Sequence, residues 1–286
     1  MSIERVFVAG AGFMGHGIAQ VHAVIGKHVA LYEPELARAE AGHGRIADNL
    51  ARAVAKNRIS EAERTGALAR ITPTDRLETA GDVDLVIEAV VEDVGVKSSL
   101  WRDLDARAPK RAVFATNTSS ISIAQLASAV TGPRRSRFLG MHFFSPVPVI
   151  PLIELIRAPA TSDAVEATVR DLAAELGKKV ILSADQPGFI VNRILMPFLT
   201  EGIRALEQGV GTAEDIDTGA RVGLGHPMGP LELADFIGLD VCLEVCRVIY
   251  AGIGGEQYRP PAILEQLVAE ARLGQKSGQG FYHYPR

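Results

Sequence analysis

Over the first third of the chain, short apolar runs rich in β-branched residues alternate with longer stretches of helical period. Residues 6–9, 28–32, 84–89 and 112–116 read as strands, and residues 14–25 and the Ala-rich 34–56 as helices. This alternation is how a parallel sheet covered by helices is written in a sequence. Further strands are predicted at 138–142, 152–156 and 179–182, with a helix at 163–176 between the last two. From Pro187 the period changes to 3.6 alone, predicting helices at 189–208, 213–222, 229–237, 240–250 and 261–273. Pro187 and Gly188 punctuate that change, so the predicted organisation is α/β: a doubly wound sheet over residues 1–184, then an all-α domain over 185–286.

Composition narrows the function classes. Thirty Lys plus Arg against 34 Asp plus Glu leave a net charge of −4, which excludes a generally basic nucleic-acid binder. Cys242 and Cys246 are the only cysteines; four apart on a helix, they form neither a disulfide framework nor a metal-ligand pattern, and a reducing, cytoplasmic setting is expected. No charged n-region and long apolar h-region precede the first strand, so no secretion signal is expected. The most apolar long stretch, 138–156, carries His142, Pro146, Pro148, Pro151 and Glu154, which suits buried protein and a site rather than a membrane helix.

The first candidate chemistry lies where strand 6–9 meets its helix. Gly10-Ala11-Gly12-Phe13-Met14-Gly15 is G-x-G-x-x-G in the strand–turn–helix setting of a Rossmann dinucleotide-binding unit. Gly10 permits the tight turn, Gly12 leaves room for a pyrophosphate, and Gly15 lets helix and strand approach; the helix N-terminus then favours phosphate. Glu33, at the end of the second strand, would accept hydrogen bonds from ribose hydroxyls and repel a 2′-phosphate, favouring NAD over NADP. Arg38 is the nearest opposing charge, but its place inside the following helix favours solvent.

Further segments converge on one family. Asn117-Thr118-Ser119-Ser120, His142-Phe143-Phe144-Ser145-Pro146-Val147-Pro148, Pro187-Gly188-Phe189-Ile190-Val191-Asn192-Arg193, His226-Pro227-Met228-Gly229-Pro230-Leu231-Glu232 and Lys276-Ser277-Gly278-Gln279-Gly280-Phe281-Tyr282 occur in that order along the chain. Together they resemble the L-3-hydroxyacyl-CoA dehydrogenases, most nearly the bacterial 3-hydroxybutyryl-CoA dehydrogenases. The resemblance implies an NAD-binding Rossmann domain followed by a helical domain that closes the substrate cleft and dimerises. It also implies reversible oxidation of an L-3-hydroxyacyl-CoA to the 3-oxoacyl-CoA, as in β-oxidation.

The resemblance assigns roles residue by residue. His142 is the proton acceptor, an imidazole suited to transfer near neutral pH, and Glu154 on the next strand fixes its tautomer. Ser119 contacts the substrate oxygen and the nicotinamide side; Asn192 polarises the thioester or keto oxygen. Both, and Asn117 especially, could equally be turn or helix caps. Glu92, Lys97, Asn117, Ser145 and Lys276 match cofactor-lining positions, although composition alone would make Glu92 and Lys97 an exposed helix entry and face, and Lys276 a surface lysine. Arg52 and Lys56, one face of a helix, are candidates for the CoA 3′-phosphate-ADP or simply a solvated face. Glu232 and Asp235 read as first-turn partners of a helix dipole beginning at Pro230, and Arg134, Arg135 and Arg137 as an ordinary basic loop.

Three features depart from the family: Ser145 where Asn is usual, Pro151 where Lys is common, and a loop at Gly132-Pro133-Arg134 about two residues longer than usual. The Leu-Ile-Glu-Leu strand after Pro151 is also similar to the L-gulonate 3-dehydrogenase and lambda-crystallin branch, keeping open a free hydroxy acid as substrate or a non-catalytic NAD-binding role.

Overall fold

The computed structural model describes residues 2–285, and the chain divides into two compact units, residues 1–185 and 186–286. The first unit runs β1 (Arg5–Ala9), α1 (Gly15–Val24), β2 (His28–Tyr32), α2 (Leu36–Ala55), α3 (Glu61–Ala69), β3 (Ile71–Thr74), β4 (Leu85–Glu88), α4 (Val94–Arg107), β5 (Val113–Thr116), α5 (Ile123–Ala127), α6 (Gly132–Arg135), β6 (Phe138–Phe143), β7 (Leu152–Arg157), α7 (Asp163–Glu175) and β8 (Lys179–Ala184). Its strands form one sheet in the order β3-β2-β1-β4-β5-β6-β7-β8.

Strand composition follows position. β4, β5 and β6 have every residue buried, as strands covered on both faces require, whereas β8 is largely exposed or half-buried. All neighbours pair in parallel except β6 and β7, which are antiparallel. The sheet is therefore mixed, with β7 and β8 running against the other six. β3 carries Pro73 and sits at the opposite edge, where a missing N–H is tolerated. Its four residues and that proline hide it from a periodicity reading. α3 was equally inconspicuous in period but is announced by Ser60 and Glu63, which make a complete capping box.

α4 is anchored to the sheet by Trp101, whose ring lies 4.9 Å from that of Phe114 and 4.8 Å from that of Phe138. The basic loop beside it differs from expectation. Arg134 is buried, pairs with Asp105 at 2.9 Å, donates to the carbonyls of Ala108, Pro109 and Ala112, and stacks 4.4 Å over Phe114. It is a clamp between α4, β5 and α6 rather than a solvated charge. Asp185 belongs to the first unit, one residue beyond the predicted boundary, because its carboxylate accepts from Ser122 Oγ and from the Ile123 and Ala124 N–H groups at the start of α5.

The second unit contains α8 (Val191–Glu207), α9 (Ala213–Thr218), α10 (Pro230–Ile237), α11 (Leu239–Ile253) and α12 (Ala262–Ala269). Met196, Leu199, Ile203, Leu231, Cys242, Cys246 and Leu264 lie in its core. Burial pushes both thiols up, Cys246 to about 11, so the cysteines behave as apolar packing residues. Asp235 is not a first-turn dipole partner. It is buried near the end of α10 and accepts from the Phe281 and Tyr282 N–H groups and Tyr284 Oη, at 3.0, 2.9 and 3.1 Å. Asp217, equally buried, accepts from the Leu231 and Glu232 N–H groups and from Tyr282 Oη. Two acids thereby tie the C-terminal Gly-Phe-Tyr segment to α10, while Glu232 stays in the first turn and pairs with Arg221.

Candidate active site

The glycine turn is built by close approach. Gly10 has φ +98°, and a Cβ there would lie 2.5 Å from the Ala89 carbonyl oxygen; one at Gly15 would lie 1.7 Å from the Gly10 oxygen. Neither position accepts a larger residue, which seats α1 directly on β1 and β4. In front of Gly12 a Cβ would meet nothing within 4 Å, leaving the open ground that a pyrophosphate needs. Glu33 is half-buried at the end of β2, and its Oε1 accepts the Ala11 N–H at 2.6 Å. Arg45 Nη2 donates to the Ala11 carbonyl, also at 2.6 Å, so the peptide groups on both sides of Ala11 are held. Arg38 is exposed and pairs with Glu35, which leaves the Glu33 carboxylate unopposed by it. Phe13 is exposed and Met14 half-buried on the same turn. These residues fit a dinucleotide with an unphosphorylated 2′-hydroxyl.

A buried charge cluster stands behind the ends of β4 and β5. Lys97 is fully buried, 2.5 Å from Glu88 Oε1 and 3.2 Å from Glu92 Oε2, so it is neither an exposed helix face nor a cation offered outward. Glu88 also accepts from Thr116 Oγ1 and the Val90 N–H. Glu92 Oε1 accepts from Thr118 Oγ1, from the Ser119 N–H at 2.9 Å and from the Ser120 N–H at 3.2 Å. Burial favours its neutral form, but the Lys97 ammonium and the Thr118 and Ser119 hydrogen bonds outweigh that and hold the Glu92 carboxyl below the usual range. Glu92 thus shapes the turn that carries Ser119. Glu88 escaped the sequence reading; the signal for it is a glutamate closing the apolar run Leu85-Val86-Ile87, which demands a nearby cation.

His142 and Glu154 face each other as a cross-strand pair of β6 and β7. Nδ1 lies 3.0 Å from Glu154 Oε2, with His142 6 % exposed and Glu154 fully buried. Opposite a carboxylate, Nδ1 carries the proton, which makes Nε2 the basic nitrogen. The antiparallel reversal of β7 is what brings a residue twelve positions later into this register. Asn117 ties the hairpin to β5 through its Oδ1, which accepts the Phe143 N–H at 2.8 Å. That contact braces the two strands against each other, and it is neither a turn cap nor a helix cap.

The glycine turn, Glu88, Ser119 and His142 all fall at or just past the carboxyl ends of parallel strands β1, β4, β5 and β6, where open α/β sheets bind ligands. Ser145 is exposed and precedes Pro146 through a cis peptide bond. Arg52 and Lys56 are exposed at the end of α2, and Arg52 donates to Asn49. Asn192 and Lys276 lie in the second unit; Asn192 is the second residue of α8, and the Lys276 ammonium pairs with Asp240.

Comparison with known proteins agrees with this geometry. Residues 5–186 match the NAD binding domain of 3-hydroxyacyl-CoA dehydrogenase, and residues 188–284 match its C-terminal domain. The chain is 46% identical over 282 residues to a 3-hydroxybutyryl-CoA dehydrogenase of Bradyrhizobium diazoefficiens, covering 99% of this chain and 96% of that one. Among solved structures, FadB2 of Mycobacterium tuberculosis superposes with a TM-score of 0.97 at 44% identity, over 100% of both chains. The (S)-3-hydroxybutyryl-CoA dehydrogenase PaaH1 of Ralstonia eutropha gives 0.96 at 41%, again over 100% of both. With both domains matched in order behind a dinucleotide turn and a buried His–Glu pair, the chain belongs to the 3-hydroxyacyl-CoA dehydrogenase family.

Proposed function

We propose that this protein catalyses the reversible, NAD-dependent oxidation of a short-chain L-3-hydroxyacyl-CoA to the 3-oxoacyl-CoA, with 3-hydroxybutyryl-CoA as the natural probe. The observation that carries this is the 3.0 Å contact between His142 Nδ1 and the buried Glu154 carboxylate, in a unit that also holds the glycine turn and Glu33. Bound NAD supplies the hydride acceptor for the substrate C3. Gly10, Gly12 and Gly15 cradle its phosphates, with Phe13 and Met14 on the same turn, and Glu33 selects the free ribose.

His142 Nε2 takes the 3-hydroxyl proton as the alcohol is oxidised and returns it in the reverse direction. Glu154 holds the ring in the productive tautomer and stabilises the imidazolium that forms. The Ser119 hydroxyl, on a turn shaped by Glu92, orients the substrate oxygen; Asn192 serves the acyl carbonyl from the start of α8. Lys97 acts through Glu88 and Glu92 rather than on the cofactor itself, and Arg52 and Lys56 meet the CoA phosphates. The protein works as a cytoplasmic homodimer joined through the helical unit, on a β-oxidation-type substrate.

Purified protein supplied with NAD and either 3-hydroxybutyryl-CoA or free 3-hydroxybutyrate separates this reading from a free-acid dehydrogenase. NADH should form only with the thioester. Turnover of the free acid alone would replace the proposal, and turnover of neither would leave a non-catalytic NAD-binding protein. Light scattering coupled to gel filtration tests the dimer, which a monomer mass would refute.

A further inference from the structure

Residues 144–151 connect the strand carrying His142 to the strand carrying Glu154. Val147 in this loop is buried against α1: a side chain added at Gly17 would come within 2.9 Å of Val147 Cβ. One loop therefore touches both the His–Glu hairpin and the helix that leaves the glycine turn. Inside it, the Val149 and Ile150 N–H groups donate to the Pro146 carbonyl at 2.9 and 3.0 Å.

From outside, the loop is gripped at the junction of α7 and β8. Lys178 Nζ donates to the Val147 carbonyl at 2.6 Å and the Ile150 carbonyl at 2.7 Å, and the Lys179 N–H donates to the Pro151 carbonyl at 2.8 Å. Lys178 is half-buried, and burial pulls its ammonium below the ordinary lysine range with no carboxylate to offset it. Among the described residues, it donates to these two carbonyls of the loop and pairs with no carboxylate. A half-buried cation that donates to two backbone oxygens serves the conformation of those oxygens, because charge-assisted bonds are the strong, directional ones.

We propose that Lys178 is a positioning residue of the reaction: by holding the Val147 and Ile150 carbonyls it fixes the 144–151 loop, and through it the spacing between the His142–Glu154 pair and the glycine-turn helix. This rests on the reading of His142 and Glu154 as the proton-transfer pair. Geometric precision of this kind is worth orders of magnitude in rate without touching substrate.

The test compares Lys178→Met and Lys178→Arg with wild type, with His142→Gln as reference. In Lys178→Met, kcat with 3-hydroxybutyryl-CoA should fall about 10- to 100-fold, while KM for the thioester stays within about two-fold. Lys178→Arg, able to donate to both carbonyls, should recover most of the rate. Hydrogen exchange, read without cofactor, should speed up about 10-fold or more at the Val149 and Ile150 amides of Lys178→Met and remain unchanged in β4 and β5. Wild-type kcat in Lys178→Met would overturn the proposal. So would faster exchange spread evenly over the sheet without rescue by arginine, which is the mark of plain destabilisation. Wild-type turnover in His142→Gln would instead remove the proton-transfer reading itself, and the proposal with it.

Discussion

At the scale of single residues, the buried charge behind β4 and β5 is compensated. Lys97 lies between two carboxylates with essentially no exposure, so its removal strands the buried Glu88 charge. Lys97→Met should cost about 3–5 kcal/mol in urea unfolding, and adding Glu88→Gln to it should recover much of that loss. A double variant no more stable than the single one would contradict the pairing. Glu154→Gln keeps a hydrogen-bonding side chain but loses the charge that stabilises the imidazolium; kcat should fall about 10²–10⁴-fold with the fold intact by circular dichroism.

His22 gives a pH dependence independent of catalysis. It is fully buried in α1, its Nδ1–H donates to the Ile18 carbonyl at 2.7 Å, and its Nε2 has no hydrogen-bond partner among the described residues. Burial pulls its pKa from 6.5 down to about 4. The unfolded chain therefore binds the extra proton first: stability is full above pH 6.5 and is lost as pH falls toward about 4, by up to roughly 3 kcal/mol. Urea midpoints of wild type and His22→Leu at pH 7.5 and 5 check this; an equal acid loss in both would assign it elsewhere.

At the scale of elements, what the sequence made legible was local. The strands β1, β2, β4, β5 and β6 announced themselves because each is a short apolar run between helical patterns, and the glycine turn because its spacing is contiguous. The antiparallel entry of β7 left no trace in period, since strand direction depends on a connection, not on composition. Arg134, Asp217 and Asp235 were misread or passed over because their partners lie tens of residues away or are backbone atoms with no sequence signature. His142 and Glu154 were found through family resemblance; their contact needs the antiparallel register to exist at all. Asp217 caps α10 and receives Tyr282, so Asp217→Ala should destabilise that unit by about 2–4 kcal/mol in chemical unfolding followed by the tyrosine signal, whereas a neutral result would mean water replaces the carboxylate.

At the scale of the whole molecule, the two units divide the sequence as they divide the chemistry that can be read from them. The first carries the dinucleotide turn, the Glu92–Ser119 turn and the His–Glu pair; the second carries Asn192 and a helical core. No helix among the described residues is long and apolar enough to cross a membrane. The net charge of −4 conceals local cations, since Arg52 and Lys56 stand exposed at the end of α2. The central claim is that this frame oxidises a 3-hydroxyacyl thioester through His142. Its most direct test is NADH formation from 3-hydroxybutyryl-CoA and NAD by wild type and His142→Gln, with NADH binding to each followed by fluorescence. The account predicts rapid turnover by wild type, loss of about 10²–10⁴-fold in the variant, and nearly equal NADH affinity; undiminished turnover in His142→Gln would contradict it.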